Sequence, residues 1–320
     1  MVEAVPLRLL FIASEKAGIP ELITRMKAPL GVHHDLVLSM DQYEALADKY
    51  SYDACVVMWA PHVATILNDQ TKNSQRVKWV QSLSAGVDSY MTATDFKEAA
   101  HIPLCNVKGA FSHVLGEFIA LGMLYHAKHL ESFFAQKAEK TWQRAPIELC
   151  SKKTMAIVGF GDIGAACGRI CKAFGTKIIG VKRRPEEISD ENRSHCDELV
   201  GLDQLDRVYA EADFVVGVLP KTANTLNFFT KESCFSKMKS SAVFMNIGRG
   251  PTVNEAELVT ALKEKTIGGA VLDVFTVEPL PQESELWSLP NVLLTPHCAD
   301  QDDEFMDRAM EIMAENLALF

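Results

Sequence analysis

Residues 154–184 read TMAIVGFGDIGAACGRICKAFGTKIIGVKRR. Met155–Val158 is an apolar run long enough for a buried strand, and Lys177–Val181 supplies a second. Between them Gly159, Gly161 and Gly164 form a G-x-G-x-x-G turn. It leads into a helical pattern (Ala165, Ala166, Ile170, Ala173, Phe174) closed by Gly175. Strand, glycine turn, helix and strand within about 30 residues is the setting in which this motif marks a dinucleotide site. The first glycine permits the tight turn, the second lets backbone approach a pyrophosphate, and the third lets helix and strand pack. The free N–H groups of the helix start face the phosphate charge. Where an acid would bind a ribose 2′-hydroxyl stand Lys182, Arg183 and Arg184, with no acid before Glu186. Such cations pair with a 2′-phosphate, which a carboxylate would repel. The reading favours NADP(H), with NAD(H) as the alternative.

Around this unit, 320 residues leave room for a second domain and a sizeable core. The net charge of −10 argues against nucleic acid as the main partner, and the local cations Lys182–Arg184 suit a phosphate and not a duplex. Eight dispersed cysteines without a C-x-x-C pair imply reduced thiols in a cytoplasmic protein and no metal site. Leu9–Ala13 is too short for a signal sequence. Val114–Tyr125 is short and carries Glu117, so no membrane span is expected.

Upstream, strands are expected at Leu7–Ala13, Leu36–Ser39, Ala54–Trp59, Val77–Leu83 and Ile102–Asn106, with helical segments at Pro20–Met26, Asp41–Lys49 and Pro61–Asn68. This alternation implies a parallel open sheet. Ser112–Phe134 reads as one long helix, apolar nearly all round in its first half. After a polar stretch through Glu198, helices are expected at Leu202–Ala210, Lys231–Met238 and Asn254–Glu264, the last capped by Asn254. Strands are expected at Phe214–Leu219, Ala242–Ile247, Ala270–Val274 and Val292–Thr295. Ligands of open α/β sheets bind beyond the carboxyl ends of strands, and Arg249, Glu278 and His297 each stand just past one. Arg offers a rigid fork for a carboxylate, and His can move the proton that accompanies a hydride. Glu favours the imidazolium needed to protonate a carbonyl oxygen. Each residue alone is a weak signal; their joint placement points to hydride chemistry on a carboxylate-bearing substrate. No G-x-S-x-G elbow and no H-E-x-x-H occur.

The motifs SLSAGVDSY, VGFGDIG, VLP, NIGRG, LDVFTVEPLP and TPH together resemble the D-isomer-specific 2-hydroxyacid dehydrogenases, over nearly the whole chain. The ending EPLPQESELWSLPNVLLTPH is most similar to the glyoxylate/hydroxypyruvate reductase branch. The resemblance implies α/β architecture: two Rossmann-like doubly wound parallel-sheet domains with the active site in the cleft between them. Residues 1–107 plus 300–320 would form the substrate domain and 108–299 the dinucleotide-binding domain. It makes His297 the acid/base, Glu278 its partner and Arg249 the substrate anchor, with Ala85, Gly86 and Val87 giving backbone N–H groups to the substrate carboxylate. It assigns the cofactor to Gly159, Phe160, Gly161, Asp162, Ile163, Gly164, Lys182, Arg183, Arg184, Leu219, Pro220, Thr225, Ile247, Gly248 and Asp273, the last near the nicotinamide. It implies a homodimer built on Ser112–Phe134, with Trp142 reaching toward the partner's site.

Two departures stand out. Cys298 follows the His where small residues are common, so an alkylatable thiol near the site is expected. The amphipathic pattern Phe305, Ala309, Met313, Leu317 is still running at Phe320, where the family normally continues, which makes a shortened C-terminus an expectation. The expected activity is reduction of a small 2-oxo acid, glyoxylate- or hydroxypyruvate-like, to the D-2-hydroxy acid. The alternatives are a larger or phosphorylated hydroxy acid, or a non-catalytic cofactor-sensing protein of the same fold. Gln in place of Glu278 would have pointed to formate oxidation.

Overall fold

A computed structural model describes residues 7–14, 32–58, 62–93 and 101–319. The chain divides into two compact units, Met1–Ala110 with Asp303–Phe320, and Phe111–Asp302. The helical segment expected over Pro20–Met26 lies outside the described residues.

The first unit holds a five-stranded parallel sheet of β1 (Leu7–Ile12), β2 (Val32–Val37), β3 (Ala54–Val57), β4 (Trp79–Ser82) and β5 (Leu104–Cys105). Its order is β2-β1-β3-β4-β5, one of the two common doubly wound arrangements. Alternation along each strand sends side chains to opposite faces. Leu10, Ile12, Cys55 and Val57 pack with Tyr43, Ile66, Leu67 and Tyr90 on one side. Leu9, Phe11, Ala54 and Val56 pack on the other with Met306, Met310, Met313 and Leu317 of the helix Phe305–Leu319. Both faces are therefore covered, as an all-parallel sheet requires. β2 begins earlier than expected. Its His33 and His34 are exposed, because an edge strand can place polar side chains in solvent, and that conceals it from an apolar-run reading.

The second unit holds seven parallel strands: β6 (Thr154–Val158), β7 (Lys177–Val181), β8 (Glu198–Val200), β9 (Phe214–Gly217), β10 (Val243–Asn246), β11 (Gly269–Leu272) and β12 (Val292–Leu294). Their order is β12-β11-β10-β9-β6-β7-β8, so the chain reverses direction across the sheet between β6 and β9. Ligands of doubly wound sheets sit beyond the strand ends at such a point. The edge strand β8, which begins at Glu198 where the polar stretch ends, is not among the expected strands.

Three helical expectations need correction. Ser112–Phe134 is two helices, Ser112–Ala127 and Leu130–Glu139, because His129 adopts φ 52° and ends the first. Lys231–Met238 is a run of turns with one short 3-10 segment at Phe235–Lys237. Thr230 and Ser233 each accept the other's backbone N–H at 3.0 Å, a local bonding pattern that competes with a helix. Leu202–Ala210 starts as a 3-10 turn, and its helix proper is Leu205–Glu211. By contrast, Asn254 caps Glu255–Lys263 by accepting the Glu257 N–H at 3.3 Å. Among the described residues no helix is long and apolar enough to cross a membrane.

Candidate active site

The glycine turn leaves β6 with Gly159 at φ +100°, a conformation that side chains disfavour. A Cβ there would also lie 2.5 Å from the carbonyl oxygen of Val218, the residue after β9, across the switch point. A Cβ on Gly164 would meet the Gly159 carbonyl oxygen at 2.8 Å, so this glycine lets the helix Asp162–Lys172 lie close to its strand. A Cβ on Gly161 would meet nothing within 4 Å. The middle glycine is thus not needed for packing within the chain; it keeps an open space at a helix N-terminus, the place where a pyrophosphate is held. The residues present fit such a group. Asp162 accepts a hydrogen bond from the Ser112 hydroxyl, and Ile163 follows it in the first helical turn. The Phe160 side chain is a core element, buried against Gly168 and Gly180, so only its backbone belongs to the turn.

Lys182 follows β7, its N–H bound to Val200 O at 3.0 Å. Lys182 and Arg183 make no ion pair among the described residues, whereas Arg184 pairs with Glu187 at 2.5 Å. At the end of β9, Leu219 is half-buried and Pro220 exposed, and the Thr225 hydroxyl donates to Pro220 O at 2.5 Å.

Three adjacent strands carry the chemistry-bearing residues. After β10, Ile247 and Gly248 are buried, and Asn246 braces the turn by accepting the Gly248 N–H at 3.1 Å and donating to Arg249 O at 3.2 Å. The Arg249 guanidinium donates to Gly248 O at 2.8 Å and lies within electrostatic range of Glu278, His297 and Asp300. Gly250 next to it is required by contact, since a Cβ there would fall 1.9 Å from the backbone of Phe275. After β11, Glu278 Oε1 accepts the Phe275 N–H at 2.8 Å, and Oε2 meets His297 Nδ1 at 2.7 Å. The bond to Glu278 holds the His297 imidazole above its ordinary pKa, with Asp273 helping, while burial and Arg249 pull the other way. Burial acts to raise the Glu278 carboxyl, but the bonds from His297 and Phe275 outweigh it and leave it below the usual carboxylate range.

Asp273 was expected near the nicotinamide. It is 2% exposed, and its carboxylate is wrapped by the loop after β12. It accepts the Thr295 hydroxyl at 2.6 Å, the Cys298 N–H at 3.0 Å and the Ala299 N–H at 3.2 Å. Leu272 and Leu294 are register partners, so Asp273 and Thr295 emerge side by side. This clamp holds the segment on which His297 takes φ 50°, a backbone position uncommon outside glycine. The Cys298 thiol is pushed up by burial and by Asp273 and Asp300, which disfavours the thiolate.

Arg249, Glu278, His297 and Asp273 are thus brought together, while Gly159–Gly164, Lys182 and Leu219 stand at the ends of the neighbouring strands of the same sheet. Ala85, Gly86 and Val87 lie in the first unit beyond β4, with Ala85 O accepting from Asn106 at 2.7 Å. Trp142 is 96% exposed on a segment outside any helix or strand, so within its own chain it packs against none of the site residues. Asn246, Thr295 and Asp300 escaped the sequence reading. The first two had a signal in the strand-end positions they occupy; Asp300 had none. Among the described residues no group of three His, Cys, Asp or Glu could hold a metal ion.

The profile of the D-isomer specific 2-hydroxyacid dehydrogenase NAD-binding domain matches residues 120–299. The glyoxylate reductase of Pyrococcus furiosus is 31% identical over 291 residues, 87% of this chain and 82% of that protein. A D-isomer specific 2-hydroxyacid dehydrogenase from Xanthobacter autotrophicus Py2, solved with NADPH and MES, superposes with a TM-score of 0.84 at 27% identity. The match covers 98% of this chain and 94% of the other. The NADPH-dependent glyoxylate/hydroxypyruvate reductase of Sinorhizobium meliloti, solved with NADP and sulfate, gives 0.82 at 26% identity, with the same coverages. With a nicotinamide-cofactor domain that spans more than half of its length and a relative that aligns over most of both sequences, the chain belongs to the D-isomer specific 2-hydroxyacid dehydrogenase family of NAD(P)-dependent oxidoreductases.

Proposed function

We propose that this protein is an NADPH-preferring reductase of small 2-oxo acids, glyoxylate- or hydroxypyruvate-like, yielding the D-2-hydroxy acid. The observation that carries the reading is the 2.7 Å His297–Glu278 pair standing in the field of Arg249, at the strand ends of a dinucleotide-binding sheet. When bound, the nicotinamide cofactor supplies the hydride. Arg249 grips the substrate carboxylate through its planar fork, which fixes the face of the carbonyl that is presented. His297, charged because Glu278 accepts from Nδ1, gives the Nε2 proton to the carbonyl oxygen as charge develops there. Glu278 keeps the tautomer and the ring orientation, and Asp273 keeps the loop. Backbone N–H groups of the Ala85–Val87 segment are assigned to the substrate carboxylate, making the first unit the substrate domain. The preference for NADPH over NADH is supported by Lys182 and Arg183, and by the NADPH and NADP in the two structural relatives.

A homodimer is part of the proposal. Leu121, Phe134, Trp142, Ile147 and Leu149 are large apolar side chains exposed on one stretch, which suits contact with a second copy that Trp142 would reach into. A monomer by sedimentation at micromolar concentration would remove that part. The activity itself is tested by a panel of glyoxylate, hydroxypyruvate and pyruvate against NADPH and NADH, followed by nucleotide absorbance. Turnover with NADPH is expected. Tight NADPH binding with no turnover on any 2-oxo acid would instead identify a cofactor sensor, and turnover confined to phosphorylated acids would move the substrate class.

A further inference from the structure

Along β4 the side chains alternate between the two layers that cover the first sheet. Val80 belongs to one, while Trp79 and Leu83 join the other with Met306, Met310, Met313 and Leu317 of the helix Phe305–Leu319. Between Trp79 and Leu83, where this alternation calls for an apolar side chain, stands Gln81, 0% exposed. Burying an amide costs free energy unless its polar ends are bonded. Both ends are. Its Nε2 donates to Ser82 O at 2.8 Å, and its Oε1 accepts from Nδ2 of Asn316, one helical turn past Met313, at 2.9 Å. A carbonyl can only accept, so Ser82 O fixes which way the Gln81 amide points, and Asn316 must then be the donor to its oxygen.

These bonds stand where the backbone ladder ends. β4 pairs with β5 at Val80–Leu104 and Gln81–Cys105, and β5 stops at Cys105. Beyond that point side chains hold the chain. Gln81 takes Ser82 O, and the Ser82 hydroxyl accepts the Ser84 N–H at 3.0 Å and donates to Ser84 O at 3.1 Å. Asn106 Nδ2 donates to Ala85 O at 2.7 Å. A line of hydrogen bonds therefore leads from the helix, through the interior of the same unit, to the backbone at Ser84 and Ala85. An apolar side chain of Gln81's length would fill the layer as well, but would leave Ser82 O without this donor. We propose that Gln81, held by Asn316, is a positioning residue that sets the end of β4 so that the Ala85–Val87 N–H groups meet the substrate carboxylate. The proposal rests on the reading above that assigns those groups to the carboxylate.

The test measures kcat and KM for hydroxypyruvate with NADPH, together with the melting temperature, in the full-length protein, Gln81→Met, Asn316→Leu and the double variant. Methionine keeps the length of the side chain and brings no polar atom to bury, so the melting temperature should stay near the parent's. A loosened segment holds the carboxylate less well in ground state and transition state alike. KM for hydroxypyruvate should therefore rise about fivefold, with kcat and KM for NADPH each within about twofold of the parent. Asn316→Leu takes the donor from Gln81 Oε1 and should raise the same KM. The double variant should be no worse than Gln81→Met alone, because both changes act through one amide. A role confined to docking the helix would instead lower the melting temperature of Asn316→Leu and leave every KM in place, which overturns the proposal. An unchanged KM for hydroxypyruvate in Gln81→Met, or additive effects of the two changes, overturns it as well. Should Gln81→Met fail to fold, Asn316→Leu decides, and an unchanged KM there has the same force. If the parent reduces no 2-oxo acid at all, the functional reading fails and takes the positioning role with it; parental turnover with KM unmoved in the variants sinks the positioning role alone.

Discussion

Glu278→Gln isolates the charge that makes His297 an acid. The glutamine carbonyl can keep the Phe275 N–H, as Glu278 Oε1 does at 2.8 Å, so backbone and volume are preserved. Its amide nitrogen then takes the place of Oε2, which stands 2.7 Å from His297 Nδ1. Facing a donor, Nδ1 can only accept, and the imidazolium loses its partner. A hydrogen bond to a charged group contributes about 1.5–3 kcal/mol. The side chains of His297 and Glu278 are 40% and 36% exposed, so solvent screening reduces this to about 1–1.5 kcal/mol. At about 1.4 kcal/mol per pKa unit, the His297 pKa should fall by about one unit. The assay is the pH profile of kcat/KM for 2-oxo acid reduction, which reports groups of the free enzyme. Its alkaline limb should move about one unit toward acid, with NADPH affinity unchanged. A limb that stays in place would refute the claim that Glu278 sets the acidity of His297. The same pair contributes to stability between its two titrations. That contribution is lost as pH rises through the raised His297 value, and as pH falls through the lowered Glu278 value.

Gly161→Ala should fold with a melting temperature close to the parent's, because its Cβ meets nothing within 4 Å, yet bind NADPH about tenfold or more weakly, by calorimetric titration. Gly159→Ala should instead lose stability outright, since φ +100° and the Val218 carbonyl both oppose a side chain; equal behaviour of the two variants would contradict the roles given to the turn. Lys182→Asp combined with Arg183→Ser should shift the NADPH-to-NADH ratio of kcat/KM toward NADH, and an unaltered ratio would show that these cations do not read the 2′-phosphate.

Where a feature is local, it was legible. The glycine turn, the Asn254 cap and the close of the helix at Gly175, which has φ +79°, all depend on residues within a few positions of one another. The break at His129 was hidden because neither Gly nor Pro marks it. The start of β2 and the whole of β8 were concealed by their edge positions, where polar side chains are tolerated. Arg249, Glu278 and His297 could each be placed past a strand end, but their mutual geometry needs β10, β11 and β12 to be neighbours, which no spacing encodes. The turn of Asp273 toward the His297 loop was missed for the same reason: its partners lie more than 20 residues on, joined only by strand register.

The most direct measurement compares NADPH oxidation by hydroxypyruvate, with chirality of the product determined, in the parent and in His297→Ala. The account predicts D-glycerate from the parent. In the variant it predicts a kcat lowered about 10²–10⁴-fold, with NADPH still bound at the parent's affinity. Turnover retained by His297→Ala, or an L-configured product from the parent, would contradict it.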